Sequence, residues 1–502
     1  MLRFLLCLAA FLQGIFAQGG RSLDSMDQLI EALQAGRSVS ATFDSLLCEQ
    51  TNFSEPFLGG FGIAADGTFI LVNTYVDRGS VALLDVYEIS GDTGLVLNNY
   101  FAFCTALIGA TFHEKGNHQP DTAITSFDDL RTVMMERGQL TVVANVIGCE
   151  HPLPPEVTIA EGGSAEFQYY VLQDAGETML FVEWPGLSLS NVEGQTVYTV
   201  TRAIINVDGT AHLSGHSYNT QTWEDEYPYP DGFQCVLGES LTFYYASGGE
   251  FASYATYADV DAAVSAGKDL LALVNARACE MNGTYPEILA AGVHVMSWIR
   301  WETGEMPGIH FTQSIPDVTG DLLVQAFYLA IDETLYVRGT TFNPVDPGDI
   351  PDVVTLSCPL GSGVWFIAAP YDGTELTSFA AIVQAELDGE KLWVEIDFSE
   401  CVDPTGEFDL TGLRAGARLQ DLTILGSGTA EERLFGSAFA VNGDSNSGVV
   451  YETFGVTIDG NDDAIVYQGS WRYDENGEWG NAFGDTIFEC TLGGGVKVLQ
   501  EV

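Results

Sequence analysis

The chain has 502 residues with 18 Lys plus Arg against 70 Asp plus Glu, a formal charge of −52 at pH 7. Such a field repels polyanions and argues against nucleic acid or an anionic membrane surface as partner, while favouring cationic partners and divalent ions. Hydrophobic residues make up 46%, with 29 Phe and 20 Tyr, so the charge belongs to a folded surface and not to an acidic disordered tail.

Residues 1–17 carry one basic residue, Arg3, an apolar stretch from Phe4 to Phe16 and a small residue at Ala17. This is the pattern of a secretory signal peptide, too short to span a bilayer. No later run of about 18 apolar residues suggests a membrane span. The expected location is secreted and extracellular, an oxidising setting in which cysteines pair.

A single pattern then recurs four times. Ser25, Ser126, Thr256 and Ser378 each lie 23 residues before a cysteine, namely Cys48, Cys149, Cys279 and Cys401. The hydroxyl residue reads as a helix N-cap. Apolar residues follow at the first and fourth positions: Met26 and Leu29, Phe127 and Leu130, Tyr257 and Val260, Phe379 and Ile382. That spacing marks one face of a helix. Gly36, Gly138, Gly267 and Gly389 stand where each helix ends, followed by an apolar strand up to the cysteine. A fixed period of this kind implies a repeat architecture.

Each first cysteine is followed by one more before the next unit: Cys104, Cys235, Cys358 and Cys490. The last three open a shared tail, Cys-x-Leu-Gly. One disulfide per unit is the simplest assignment: Cys48 with Cys104, Cys149 with Cys235, Cys279 with Cys358, and Cys401 with Cys490. No Cys-x-x-Cys pair supports thiolate metal binding. Between paired cysteines, β-rich runs flank turns such as Asp208-Gly209 and Asp459-Gly460, the signal of antiparallel hairpins. The expected fold is α+β and β-rich: four tandem units, each one N-terminal helix plus an antiparallel β-meander closed by one disulfide. Their expected bounds are 18–121, 122–252, 253–374 and 375–502. Without flexible linkers they should form a compact string with separate cores and modest interfaces.

Candidate chemistry is sparse. Acidic turns precede the second cysteine in three units: Trp223 to Asp231, Asp346-Pro-Gly-Asp349-Ile-Pro-Asp352, and Asp474 to Glu478. Clustered carboxylates with carbonyl-rich turns suit calcium, and Asp346, Asp349 and Asp352 are the candidate ligands. Asp459-Gly-Asn461-Asp-Asp463 lacks the glycine and glutamate of an EF-hand and reads as a solvated hairpin tip. His212 and His216, with Ser214 between them, would share a strand face and could hold a metal, but a plain strand face is the commoner identity. Gly215-His-Ser217-Tyr-Asn219 is not a nucleophile elbow, and no Walker, dinucleotide or His-Glu-x-x-His motif occurs. Asn52-Phe-Ser and Asn282-Gly-Thr are glycosylation acceptors at matching points in units one and three.

The string Ser126-Phe-Asp-Asp-Leu130, the helix-ending glycine, the strand, the cysteine, the hairpins and the closing Cys-x-Leu-Gly resemble the VirK family of small secreted or periplasmic proteins. The resemblance spans nearly all of the mature chain as four copies. It implies an extracytoplasmic domain without an established biochemical activity, and it transfers no catalytic residues. Two functions remain open. One is a strongly acidic, secreted binding or matrix-type protein that engages calcium, mineral or cationic partners, with repetition multiplying weak contacts. The other is an enzyme or small-ligand binder with an apolar pocket in one unit; unit two stands out for Trp184, Trp223, His212 and His216.

Overall fold

The structure is a computed structural model. It describes residues 21–23, 25–35, 39–43, 48–49, 60–64, 69–76, 82–90, 94–97, 103–104, 110–114, 122–136, 140–150, 159–164, 168–174, 177–189, 196–219, 222–225, 229–245, 252–282, 287–302, 306–316, 322–342, 354–368, 373–387, 392–406, 408, 410–419, 421–425, 433–444, 448–473, 479–481 and 486–500. The leader, the calcium candidates Asp346, Asp349 and Asp352, the turn 474–478 and Asn52 lie outside these residues.

Units one to four name the four stretches that the sequence pattern sets off. The first contains β1 (Arg21–Leu23), α1 (Met26–Gln34), β2 (Val39–Phe43), β3 (Cys48–Glu49), β4 (Gly60–Ala64), β5 (Phe69–Val76), β6 (Ala82–Ser90), β7 (Gly94–Leu97), β8 (Phe103–Cys104) and β9 (Ala110–Glu114). Unit two contains β10 (Thr122–Ile124), α2 (Phe127–Glu136), β11 (Thr141–Asn145), β12 (Ile159–Ser164), β13 (Gln168–Asp174), β14 (Glu177–Leu189), β15 (Thr196–Asn206), β16 (Thr210–Asn219), β17 (Tyr229–Val236) and β18 (Leu241–Tyr245). Unit three contains β19 (Ala252–Tyr254), α3 (Tyr257–Ser265), β20 (Leu270–Val274), β21 (Glu280–Asn282), β22 (Glu287–Val295), β23 (Ser297–Trp301), β24 (Gly308–Pro316), β25 (Leu322–Ala330), β26 (Thr334–Phe342), β27 (Val354–Pro359) and β28 (Val364–Ala368). Unit four contains β29 (Thr374–Leu376), α4 (Phe379–Leu387), β30 (Leu392–Asp397), β31 (Leu413–Arg418), β32 (Asp421–Leu425), β33 (Arg433–Asp444), β34 (Gly448–Asp459), β35 (Asp463–Tyr473), β36 (Trp479–Asn481), β37 (Thr486–Thr491) and β38 (Val496–Gln500).

The chain is therefore β-rich with few helices, its strands paired antiparallel. The boundaries expected after residues 252 and 374 cut the first residue from β19 and β29.

All four expected N-caps are in place. Gln28 N donates to Ser25 Oγ, Asp129 N to Ser126 Oγ, Asp259 N to Thr256 Oγ1 and Ala381 N to Ser378 Oγ, at 3.2–3.3 Å. Each satisfies an amide that the first helical turn leaves without a partner. Leu29, Leu130, Val260 and Ile382, four positions after the cap, are fully buried. Gly267 takes the left-handed conformation, φ 65°, at the end of α3; Gly36, Gly138 and Gly389 lie outside the described residues.

The Cys-x-Leu-Gly tail also has a structural cause. Gly238, Gly361 and Gly493 have φ of 82°, 80° and 76°, and their amides donate to Leu241, Val364 and Val496. The leucine before each glycine donates from its amide to the preceding hairpin tip, at Gly209, Glu333 and Asp462 respectively. All three tip residues have positive φ.

The same three-strand order recurs in all four units: β1-β9-β2, β10-β18-β11, β19-β28-β20 and β29-β38-β30. The expectation of modest interfaces is corrected here, because the sheets run across unit boundaries. β12 of unit two pairs with β4 of unit one, β22 of unit three with β13 of unit two, and β31 of unit four with β23 of unit three. Each of these strands would otherwise expose a row of unsatisfied amides and carbonyls, which the neighbouring unit satisfies. Two of the resulting sheets have ten strands and one has nine.

Cores are likewise not wholly separate. The core of unit two, built on Leu130, Met134, Val182 and Phe243, includes Leu271, Leu273, Ala290 and Ile367 of unit three. Unit three is centred on Val260, Trp298, Phe311 and Phe366, and unit four on Ile382, Val394, Phe488 and Val498.

Three of the expected disulfides are formed: Cys149–Cys235, Cys279–Cys358 and Cys401–Cys490, with Cα separations of 4.4, 4.3 and 4.4 Å. Each first cysteine follows a strand in the sheet shared with the preceding unit, and each second cysteine lies in the unit's own meander. The bond therefore staples the sheet shared with the preceding unit to the sheet of the unit's own meander. The β3–β8 register places Cys48 opposite Cys104; the structure describes their backbone alone.

Candidate functional site

Unit two carries a polar row on the face of its meander that points away from its hydrophobic core. Strand alternation puts His212, Ser214, His216 and Tyr218 on one face of β16, with Ala211 and Leu213 on the core face. Cross-strand register aligns Ser214 with Arg202 of β15, and Arg202 with Glu183 of β14. All three are buried: Ser214 is 8% exposed, Arg202 2% and Glu183 4%.

Arg202 Nε donates to Glu183 Oε1 at 2.7 Å, and its Nη2 bonds the same oxygen. The guanidinium also lies over the Phe181 ring, 5.0 Å from its centroid. Burying one charge without its partner would be costly, so the pair acts as a unit.

His212 and His216 flank this row and do not converge. His212 Nδ1 is 2.9 Å from Gln234 Nε2, whereas His216 Nδ1 is 2.8 Å from Asp225 Oδ2. The guanidinium between them disfavours a shared cation. No group of three or more His, Cys, Asp or Glu that could hold a metal occurs among the described residues.

Asp225 belongs to the acidic turn that the sequence marks as a calcium candidate, yet it is engaged within the fold. Its second oxygen accepts from Ser217 N at 3.2 Å. The turn is held by Trp223 N donating to Asn219 O at 2.7 Å and by Thr222 N donating to Asn219 Oδ1 at 3.1 Å. Trp223, at φ 58° and buried, stacks on Tyr218, which stacks on His216. Asp225 thus orients the imidazole through Nδ1 and leaves the other ring nitrogen, Nε2, outside this contact. Among the described residues no hydroxyl bonds that nitrogen, and Ser217 lies on the opposite strand face. Gly215 to Asn219 is extended strand, not an elbow. Trp184 sits opposite Thr201 on β14.

The Asp459–Asp463 segment is a hairpin tip built on its own carboxylates. Asp459 Oδ1 accepts from Asn461 N and Asp463 N, at 2.8 and 3.0 Å. Asp462 Oδ1 accepts from Phe379 N at 3.0 Å, adding a second acceptor to the start of α4. Asn282 lies exposed at the end of β21.

A further charged cluster spans the joint between units three and four, where Arg300 of β23 stands directly opposite Arg414 of β31. Arg300 is paired with Asp261 at 2.6 Å and with Glu302; Arg414 with Asp397 at 2.8 Å and more loosely with buried Glu395. Lys497 adds a third cation, 3.4 Å from Glu395. Burial pushes the Asp397 carboxyl up, but the hydrogen bond from Ser399 and the charge of Arg414 outweigh it and hold the group below its ordinary value. Sequence reading misses both ionic clusters, because which residues oppose one another depends on register between distant strands.

The fold and this polar face define a β-rich, disulfide-bonded protein of several antiparallel sheets. No family model matches the chain, and no curated protein matches it. Among solved structures, it is similar to a VirK family protein from Legionella pneumophila, with 20% identity over 25% of this chain and 97% of that chain, and a TM-score of 0.21. No helix among the described residues is long and apolar enough to cross a membrane.

Proposed function

We propose that this is a secreted, glycosylated, strongly acidic protein of binding or matrix type, built from four VirK-like units and engaging cationic partners or divalent ions such as calcium. One observation supports the reading: among the described residues, five of the scarce cations are engaged by carboxylates of the chain itself. Arg202, Arg300, Arg414, Lys497 and Arg131 each pair with an acid of the same chain. With 70 acids against 18 bases, the excess negative charge is left to the surface. Units joined by continuous sheets would present it as an array, in which weak contacts add.

The test is binding of the full chain to immobilised polylysine and to calcium, each against ionic-strength-matched sodium chloride. Salt-dependent capture by polylysine, with calcium raising the melting temperature more than magnesium, is expected. No capture at low salt, together with equal shifts for calcium, magnesium and sodium, sinks the proposal.

A second reading, a ligand-binding or catalytic unit two, is favoured by the His216–Asp225 pair beside buried Glu183, Arg202 and Ser214. A small-molecule thermal-shift screen in which hits are lost in His216→Ala, with the fold retained, would favour it over surface binding.

A further inference from the structure

The three joints between successive units share a construction that is absent where unit four would meet unit one. At each joint an aromatic residue of the earlier unit stands opposite a glycine of the later one: Phe61 with Gly163, Tyr169 with Gly292, Trp298 with Gly416. Two of these glycines, Gly292 and Gly416, are required by space. A Cβ at 292 would lie 2.1 Å from the Tyr169 ring, and one at 416 would lie 2.6 Å from the Trp298 indole. Within a unit, the glycine precedes the aromatic by six residues in units two and three. Unit four keeps Gly416 but has Leu422 in the aromatic place, and unit one keeps Phe61 but has Glu55 in the glycine place.

Two other positions follow the same rule. Eight residues after the N-cap, Leu33, Met134 and Val264 are buried, whereas the fourth helix has Glu386. On the receiving side, the cross-strand pairs are Thr141 with Tyr244, Leu271 with Ile367 and Trp393 with Leu499. Each meets the preceding unit: Tyr244 Oη donates to Gln34 O, Leu271 and Ile367 join the core of unit two, and Trp393 and Leu499 crowd Gly267. Unit one has Ser40 with His113 at that register.

The ends that lack this chemistry are nevertheless adjacent. β5 of unit one lies beside β14 of unit two and also beside β32 and β33 of unit four; β33 lies beside β24 of unit three as well. Among the described residues, β32 pairs only with β33, and β2 only with β9. We propose that units one and four meet in a seam that closes the chain into a ring, and that this seam opens reversibly while the three clasped joints stay shut. The interaction surface is the outer edge of β32 with the start of the unit four meander, and its partner is unit one of the same chain. Mutual repulsion within a chain of charge −52 acts on every joint, but only the seam lacks the apolar clasp to resist it.

The test places spin labels on exposed helix positions of the full chain, at Glu31, Thr132, Ala262 and Ala380, each changed to Cys in pairs. Pulsed dipolar spectroscopy then reads three distances. A closed ring makes 31–380 comparable to the neighbouring pair 31–132 and shorter than the cross pair 31–262. An open array makes 31–380 the longest, and that result overturns the ring. Lowering salt from 0.5 M to 0.02 M should broaden 31–380 alone, because repulsion is less screened. Leu422→Trp together with Glu55→Gly, which supplies both halves of the clasp, should narrow it again, and Glu386→Leu provides a second variant in case the first fails to fold. A 31–380 distribution that neither salt nor these substitutions move would overturn the reversible opening.

Discussion

Trp298 of unit three lies over Gly416 of unit four, so closely that an added methyl carbon would overlap the indole ring. The large ring covers backbone that a side chain would otherwise shield, and the absent side chain lets the two units pair as one sheet. Gly416→Ala should therefore cost about 1–3 kcal/mol through overpacking. Because the residue belongs to both units, denaturant unfolding should change from one transition toward two as the joint loosens. Gly215→Ala is the control, since nothing lies within 4 Å of its Cβ direction and its backbone is ordinary extended strand. Equal effects at both positions would show that the close contact contributes nothing.

How much of this could be read in the sequence depends on the range of the interaction. The N-caps at Ser25, Ser126, Thr256 and Ser378 were legible because a cap acts over three residues. So were the three disulfides Cys149–Cys235, Cys279–Cys358 and Cys401–Cys490, because repetition reduced the possible pairings to one choice per unit. The joints were not. Nothing local announces that Gly292 faces Tyr169, since the partner lies over a hundred residues away in another unit. The same holds for Asp225, which reads as part of an acidic turn and is in fact the partner of His216.

Glu333 occupies the turn at the tip between β25 and β26 with φ 66°, where unit two has Gly209. A side chain in the left-handed region costs roughly 1–2 kcal/mol, partly offset by the greater freedom glycine has in the unfolded chain. Glu333→Gly should leave stability unchanged or raise it by up to about 1 kcal/mol, measured by thermal or urea unfolding. The backbone bond from Leu360 N to the carbonyl of residue 333 survives the change. A loss of stability would mean that the Glu333 side chain makes a contribution its exposure does not suggest.

The Arg300–Arg414 juxtaposition gives the joint between units three and four a sensitivity to acid. Like charges directly opposite one another on a sheet are destabilising unless compensated. The Asp397 carboxyl, held below its ordinary value, contributes stability that is present above its unfolded pKa of about 3.9 and is lost as pH falls through the folded value. The expected window of loss therefore lies at and below pH 4, and it should shrink in Asp397→Asn, which is already uncompensated at neutral pH. Unfolding free energy measured from pH 7 to 3 checks this. Identical pH slopes for the two proteins would remove Asp397 from the account.

The disulfide Cys279–Cys358 joins the shared sheet that contains β20 and β22 to the one that contains β27. Replacing both cysteines by Ala should cost about 2–5 kcal/mol, because the bridge closes a loop of 79 residues in the unfolded chain. Separate beads would confine the damage to unit three. Shared sheets predict otherwise: amide exchange should accelerate in β13 of unit two and β31 of unit four, whose partners β22 and β23 are both anchored through this unit. Hydrogen exchange read by mass spectrometry separates the two outcomes, since peptides covering β13 and β31 belong to units whose own disulfides remain intact. Faster exchange restricted to unit three would show that each unit carries its stability alone, and the strand pairing across the joints would then be too weak to couple them.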